Sequence, residues 1–462
     1  GKFNRKRLSG AGLILLAVGT GLSSCQIGKS YTRPDMPLPA RLDTLTQDTA
    51  SIGDLSWWEL YNDTTLQQLI HRALTYNKDL KIASARMNEL AALKRIDFAN
   101  MFPQATARLN GNRETTNYGG DNFDADPELS LTASISWELD LWGNLRWARD
   151  HSTAEFLASV ENCRAVKIGL VAQVAQSYFE LMALDNELAI VRRTLEARRE
   201  GVRLAEIRFK GGLTSEIVFQ QAKVELAKTA TMVPDLERRI SLKESEIALL
   251  TGDFPYAVNR NVLPEEIQLP DALPLGLPST LLERRPDIRK AERELMAAHA
   301  EVGLAYTNMF PRLALTATLG AESETLRDLL KSPYSYLAGN LLSPLFAMGK
   351  NRAALKAKRT AYESAVAEYE KTVLTAFKET HDAIINFNKI KDIYESRRQL
   401  AEASRTAVEL AQLQYINGVI GYLDLLDAQR NYFDAQVSLS NAVCDKQLMI
   451  INLYKALGGG WK

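Results

Sequence analysis

The chain says the same thing twice. Asn100-Met101-Phe102-Pro103 returns as Asn308-Met309-Phe310-Pro311, and Arg208-Phe209-Lys210-Gly211-Gly212 returns as Gln414-Tyr415-Ile416-Asn417-Gly418, about 206 residues downstream. Ala222 and Gly252 map to Ala428 and Gly458 at the same offset. Each copy reads as a helix, two short strands, one very long helix, a glycine turn and a medium helix. Duplication of so large a unit constrains the chain to a quasi-symmetric assembly and argues against a single catalytic cleft.

The long helices narrow the architecture further. Residues 144–208 contain no proline, and only Gly169 and Gly201 interrupt them; residues 351–417 contain neither glycine nor proline. Each predicts a helix of roughly 100 Å at 1.5 Å per residue. Val366, Val373, Thr380, Phe387, Tyr394, Ala401, Val408 and Tyr415 fall seven apart, with Tyr362, Tyr369, Ala376, Ala383 and Ile390 as the companion seam. Subtracting 206 places Val160, Lys167, Val174, Leu181, Leu188, Leu195, Val202 and Phe209 on the same register. This predicts supercoiled antiparallel hairpins at about 144–250 and 351–457, with a plain long bundle as the alternative. The helices near 78–101 and 285–308, added end to end to the medium helices, match the long ones in length. Residues 258–284 then form an equatorial linker, and Pro234 is expected to bend the first medium helix.

Strand patterning occurs at about 104–112, 129–139, 312–320 and 334–345, with Leu131, Ala133, Ile135 and Trp137 alternating against Thr132, Ser134 and Ser136. These lengths suit tilted strands crossing a bilayer. Four strands cannot close a barrel, whereas two chains supply eight and three supply twelve. A small soluble sheet packed on the helices is the alternative. The N-terminus favours the membrane. Lys2, Arg5, Lys6 and Arg7 precede an apolar stretch at 8–22, and Leu22-Ser23-Ser24-Cys25 resembles a lipobox. Residues 1–24 are therefore expected to be a lipoprotein signal peptide, Cys25 the lipid attachment site, and 25–63 an anchored linker. An ordinary secretory signal with an incidental cysteine is the bland alternative.

Bulk chemistry excludes much. Lys+Arg and Asp+Glu each number 56, so no basic footprint for nucleic acid exists. Three cysteines, Cys25, Cys163 and Cys444, make no disulfide framework, and His71, His151, His299 and His381 lack ligand spacing. No enzyme, metal or cofactor is expected beyond the covalent lipid. Cys163 falls on a heptad seam and is expected to be buried.

A family likeness rests on particular residues. Trp57-Trp58-Glu59-Leu60-Tyr61-Asn62-Asp63, Trp137-Glu138-Leu139-Asp140-Leu141-Trp142-Gly143, Leu281-Leu282-Glu283-Arg284-Arg285-Pro286-Asp287 and Ser343-Pro344-Leu345-Phe346 resemble the signature segments of TolC-type outer-membrane factors. Tyr31-Thr32-Arg33-Pro34 and the lipobox are similar to the lipoprotein, OprM/NodT-like efflux branch. The resemblance implies a mainly α fold with membrane β. A homotrimer would form a twelve-stranded β-barrel in outer-membrane lipid, continuous with a twelve-helix periplasmic α-barrel. It implies a passive exit channel, lipid-anchored in the bacterial outer membrane, served by a periplasmic adaptor protein and an inner-membrane RND-type transporter. A protein-secretion duct of the same architecture, or a lipid-anchored coiled-coil scaffold without a pore, are the alternatives. The organisation expected is a first repeat at 64–257 and a second at 285–462.

The resemblance also places a gate. Tyr422-Leu423-Asp424-Leu425-Leu426-Asp427-Ala428-Gln429-Arg430 matches the family's constriction segment. It implies that the constriction residues are Leu423 and Asp427, with Asp424 placed beside them at the gate and Tyr415 and Arg430 as latch candidates. Arg430, three residues after Asp427, is expected to neutralise it, and solvated helix N-terminal charges are the alternative for Asp424 and Asp427. Leu423 and Asp427 are four apart and share a helical face. Their equivalents in the first copy, Ile217 and Gln221, carry no acid, so the second hairpin is expected to face the pore. Lys210, Gly211, Gly212, Glu216, Gly418 and Val419 are the expected adaptor-contact tips. Glu283, Arg284 and Arg285 are expected to form structural ion pairs near the equator.

Overall fold

The duplication is written in the backbone. Gly143, Gly212 and Gly252 adopt φ of +84°, +72° and +77°, and Gly349, Gly418 and Gly458, each 206 residues on, adopt +79°, +74° and +78°. The computed structural model describes residues 26–38, 56, 63–116, 124–261 and 278–459. The signal segment, Cys25, residues 57–62, the turn at 118–121 and most of the 258–284 linker lie outside the described residues.

In chain order the elements are α1 (Thr64–Tyr76), α2 (Lys78–Ala99), β1 (Gln104–Thr116), β2 (Asp124–Leu139), α3 (Asn144–Lys210) and α4 (Glu216–Leu250). Then follow α5 (Pro278–Arg284), α6 (Pro286–Thr307), β3 (Arg312–Ser323), β4 (Pro333–Leu342), α7 (Lys350–Ile416) and α8 (Tyr422–Ala456). Helices α3 and α7 are 67 residues each, and α4 and α8 are 35 each. Helix α4 runs through Pro234 as one assigned helix. The chain divides into two compact units, residues 1–35, 86–160 and 290–370, and residues 36–85, 161–289 and 371–462. Each unit draws on both repeats, so sequence repeat and compact unit are different divisions of the chain.

The first unit holds an antiparallel sheet in the order β1-β2-β3-β4. The register aligns Ala105 with Ile135, Leu109 with Leu131, Leu319 with Ala133, and Leu315 with Trp137. One face is therefore apolar, and Leu109, Leu131, Ile135, Leu315, Leu319, Leu337 and Leu341 on it are exposed. The opposite face carries Thr106, Thr132, Ser134, Thr316 and Thr318, with Ser134 and Thr318 hydroxyls 2.8 Å apart. Strands β1 and β2 pair out to Thr116 and Asp124, beyond the expected 112 and 129. Backbone pairing needs no apolar alternation, so the polar run Asn112-Arg113-Glu114-Thr115-Thr116 stays in the ladder. Strand β3 likewise extends past 320 to Ser323, while β4 stops at Leu342 rather than 345, just before Pro344, which has no N–H to donate. Trp142 donates from Nε1 to the Pro311 carbonyl at 2.7 Å and stacks on Phe310, tying the β2–α3 junction to the α6–β3 junction.

The second unit is helical. Its core centres on Leu66, Ile70, Val174, Tyr178, Leu181, Ile247, Ile451 and Leu453, all essentially inaccessible. The heptad positions Val373, Thr380, Phe387, Ala401 and Tyr415 are buried, as are the companions Ala376, Ala383 and Ile390. Asp63 caps α1 by accepting from the Thr65 and Leu66 amides at 2.8 and 3.1 Å, and from the Tyr178 hydroxyl at 2.9 Å. Arg285 is the linchpin of the equatorial segment. It donates to Asp287 and Glu379 at 2.6 Å and to the Ala456 carbonyl at 3.1 Å, where it shares with the Thr380 hydroxyl the last carbonyl of α8. The expected ion pairing thus holds for Arg285. Cys163, expected in the core, is half-buried; Cys444 is the buried thiol.

Candidate functional site at the hairpin tips

Each hairpin turns on a glycine in the left-handed region that closes a Schellman motif. The Leu213 amide donates to the Arg208 carbonyl at 2.8 Å and Gly212 to Phe209 at 2.9 Å; Val419 to Gln414 and Gly418 to Tyr415 repeat this at 2.8 and 3.1 Å. Beneath the turns a small cluster of Ala205, Ala222, Ala411, Tyr415, Tyr422, Leu425 and Leu426 packs the two hairpins together. Phe209 stacks on Phe219 within the first hairpin, and Tyr415 meets Tyr422 edge-on in the second. Arg208 lies over the Tyr415 ring, its Cζ 4.8 Å from the centroid, which links one hairpin to the other.

The residues named from the sequence separate by role. Leu423, Asp424, Asp427 and Arg430 are exposed, and Leu423 is 62% accessible, which is unusual for leucine beside a packed cluster. Asp427 accepts from the Asn431 side chain at 3.1 Å. Asp424 occupies the third position of α8 and accepts from the Gly421 amide at 3.0 Å, so it caps its own helix. Tyr415 is buried against Arg208 and its hydroxyl has no partner among the described residues. Lys210 pairs with Glu206 at 2.8 Å, Glu216 accepts from Gln220 at 3.3 Å, and Gly211, Gly212, Gly418 and Val419 are all exposed.

Arg430 does not pair with Asp427 as expected. It reaches across to Glu225 on α4. The Glu225 side chain is only 6% accessible, so its charge acts through a lower dielectric than that of an exposed carboxylate three residues back on the same helix. The other Glu225 oxygen lies 3.8 Å from the buried guanidinium of Arg198 on α3, which also donates to Gln429. Glu225 and Arg198 were not singled out by sequence reasoning, although a signal existed. Their equivalents at the 206 offset are Asn431 and Ser404, so the charges are confined to one copy. Hydrogen bonding from Arg430 holds the Glu225 carboxyl below its ordinary range, and the same bond raises the Arg430 pKa. Burial lowers the Arg198 pKa and raises that of the Tyr422 hydroxyl. The arrangement is a cross-hairpin ion triad beneath an exposed leucine and an exposed aspartate. It offers no nucleophile–base pair and, among the described residues, no cluster of metal-ligating side chains.

Comparison with known proteins identifies the family of the fold. The profile of a family described as outer membrane efflux protein matches residues 69–253 and 277–459, once in each repeat. The chain is 32% identical to outer membrane protein OprJ of Pseudomonas aeruginosa, over 99% of this chain and 97% of that one. It is 29% identical to the probable outer membrane lipoprotein SilC of Salmonella typhimurium, over 97% and 99% respectively. Among solved structures, the outer-membrane channel OprN superposes with a TM-score of 0.87 at 30% identity, covering 95% of this chain and all of the other. The open state of the Neisseria gonorrhoeae MtrE outer membrane channel gives a TM-score of 0.82 at 29% identity, covering 95% and 99%. With the duplicated strand–strand–hairpin unit, the sheet of two unlike faces and a profile match in both copies, the chain belongs to the outer membrane efflux protein family.

Proposed function

We infer that this chain is the outer-membrane exit channel of a tripartite efflux system, passively conducting small molecules or ions. The observation that carries the reading is the four-stranded sheet. It has one exposed apolar face, one Ser/Thr-rich face and, among the described residues, no closure of β1 on β4. Open edges are not tolerated in lipid. Three copies bring twelve strands, the apolar faces turned to lipid and the polar faces to a water-filled lumen. Six helical hairpins then continue the wall below the membrane. Acylation at Cys25 anchors each copy, and energy comes from an inner-membrane RND-type pump reached through a periplasmic adaptor.

In this reading Leu423 and Asp427 from three copies form an apolar and an acidic ring, a recurrent way to gate and select. Asp424, Tyr415 and Arg430 hold that rim, and the exposed residues Lys210, Gly211, Gly212, Glu216, Gly418 and Val419 offer the surface for the adaptor. The test is native mass spectrometry of the purified protein followed by planar-bilayer recording. A trimer with discrete conductance steps supports the channel. A trimer that inserts and never conducts supports a poreless scaffold instead.

A further inference from the structure

The junction between β4 and α7 has a chemistry that channel gating does not use. Leu345, Phe346 and Met348 are 93%, 84% and 86% accessible. They are followed at once by Lys350, Arg352, Lys356, Lys358 and Arg359. Lys358 pairs with Glu301 at 2.7 Å. Arg352, Lys356 and Arg359 are exposed without a side-chain partner among the described residues, and their spacing of four and three places them on one helical face. Arg359 lines a cavity of about 630 Å³. The other walls are largely aromatic and apolar, with Trp147, His299, Val302, Tyr306 and Tyr362 among them. The His299 ring stands edge-on to Trp147 and Tyr362 at 5.5 and 5.7 Å, and Trp147 donates to the Ile27 carbonyl at 2.9 Å, which fixes the walls.

The first repeat lacks this chemistry. At the 206 offset Arg352, Lys356 and Arg359 become Arg146, Asp150 and Thr153, and Arg146 is already paired with Asp140 at 2.9 Å. An exposed apolar run at a strand end, unpaired cations and an adjoining apolar cavity complement an amphiphile with an anionic head.

We propose that the β4–α7 junction is a binding site for an anionic phospholipid of the helix-side membrane leaflet. Its phosphate lies on Arg352, Lys356 and Arg359, and an acyl chain enters the cavity beside Trp147 and Tyr362. The site rests on the reading that the strands cross the outer membrane. It ties the second strand-to-helix junction to the bilayer surface.

The full-length detergent-solubilised assembly is titrated with phosphatidylglycerol, phosphatidylcholine or inorganic phosphate, and bound lipid is read by native mass spectrometry. Each cation at such a surface contributes about a fivefold effect, so Arg352→Ser/Lys356→Ser/Arg359→Ser is expected to weaken phosphatidylglycerol binding about a hundredfold. The variant Arg359→Glu alone is expected to exceed the effect of Arg359→Ser. Equal retention of phosphatidylglycerol by wild type and the triple variant overturns the site. Displacement by millimolar inorganic phosphate overturns it too, by showing a bare anion site. So does hydrogen exchange at the start of α7 that is as slow without lipid as with it, because a second copy then covers this face. Conductance of the triple variant in phosphatidylcholine bilayers is expected to match wild type. Loss of conductance in the wild type would instead sink the channel reading.

Discussion

Replacing Arg430 with alanine tests whether the cross-hairpin triad restrains the tip. Arg430 is 50% accessible at its side chain, Glu225 6% and Arg198 7%. Breaking a fully buried ion pair costs about 3–5 kcal/mol. Half of Arg430 is in water, and Arg198 stays 3.8 Å from the carboxylate, so the loss here is reduced to about 1–2 kcal/mol. That shifts the equilibrium between joined and parted hairpins about 5- to 30-fold. Glu225→Gln leaves the buried Arg198 guanidinium without a counter-charge, and its effect is expected to be larger. Single-channel recording of wild type, Arg430→Ala, Glu225→Gln and the double variant reads both the open fraction and the coupling. The singles should conduct more than wild type, and the double should fall short of their sum. Additive effects, or no rise in either single variant, would refute the triad as a restraint. The acid dependence has a definite sign. The Glu225 pKa is depressed below its ordinary 4.5 by Arg430, so its contribution is complete above that value and is lost only as pH falls through the lower folded value. Conductance is therefore expected to stay flat through this group down to its ordinary 4.5 and to rise only as pH falls below that value.

Other substitutions discriminate between local explanations. Gly252→Ala places a Cβ 2.5 Å from the Tyr76 carbonyl oxygen at a φ of +77°, whereas Gly212→Ala meets nothing within 4 Å. Thermal unfolding should show a cost of about 1 kcal/mol at Gly212 and at least twice that at Gly252; equal costs would remove the close-approach argument. Burial pushes the Cys444 thiol up to about 12, so a water-soluble disulfide reagent at pH 8 should modify half-buried Cys163 and leave Cys444 untouched until unfolding. Arg285→Ala leaves the Ala456 carbonyl with the Thr380 hydroxyl alone and two half-exposed carboxylates without their cation, and denaturant titration should register a loss of about 1–2 kcal/mol. A loss under 1 kcal/mol would show that water replaces the guanidinium.

What could be read from the residues was what repeats. The heptad seams, the glycine turns and the Leu131–Trp137 alternation are periodic, and periodicity survives without knowledge of neighbours. Strand ends were less legible, because the ladder through Arg113, Glu114 and Thr115 depends on backbone pairing rather than side-chain pattern. The triad was hidden for a different reason. Glu225 on its own helix reads as one more solvated acid, and only packing of α4 against α3 and α8 buries it. Arg430 was visible, but its partner lay 205 residues away. Asp424 carries both readings the sequence allows, a pore acid and a helix N-terminal charge, and in the structure its exposed carboxylate accepts from the Gly421 amide. Cys163 marks the limit of a heptad argument, since a seam position is half-exposed there.

In this reading the sheet closes with other copies around water, and the tip controls passage through it. Planar-bilayer recording of the purified assembly, wild type beside Arg430→Ala, tests both parts together. Discrete steps are expected for wild type, with a raised open fraction or step size for the variant. An assembly that inserts through its strands and gives no steps in either form would contradict it.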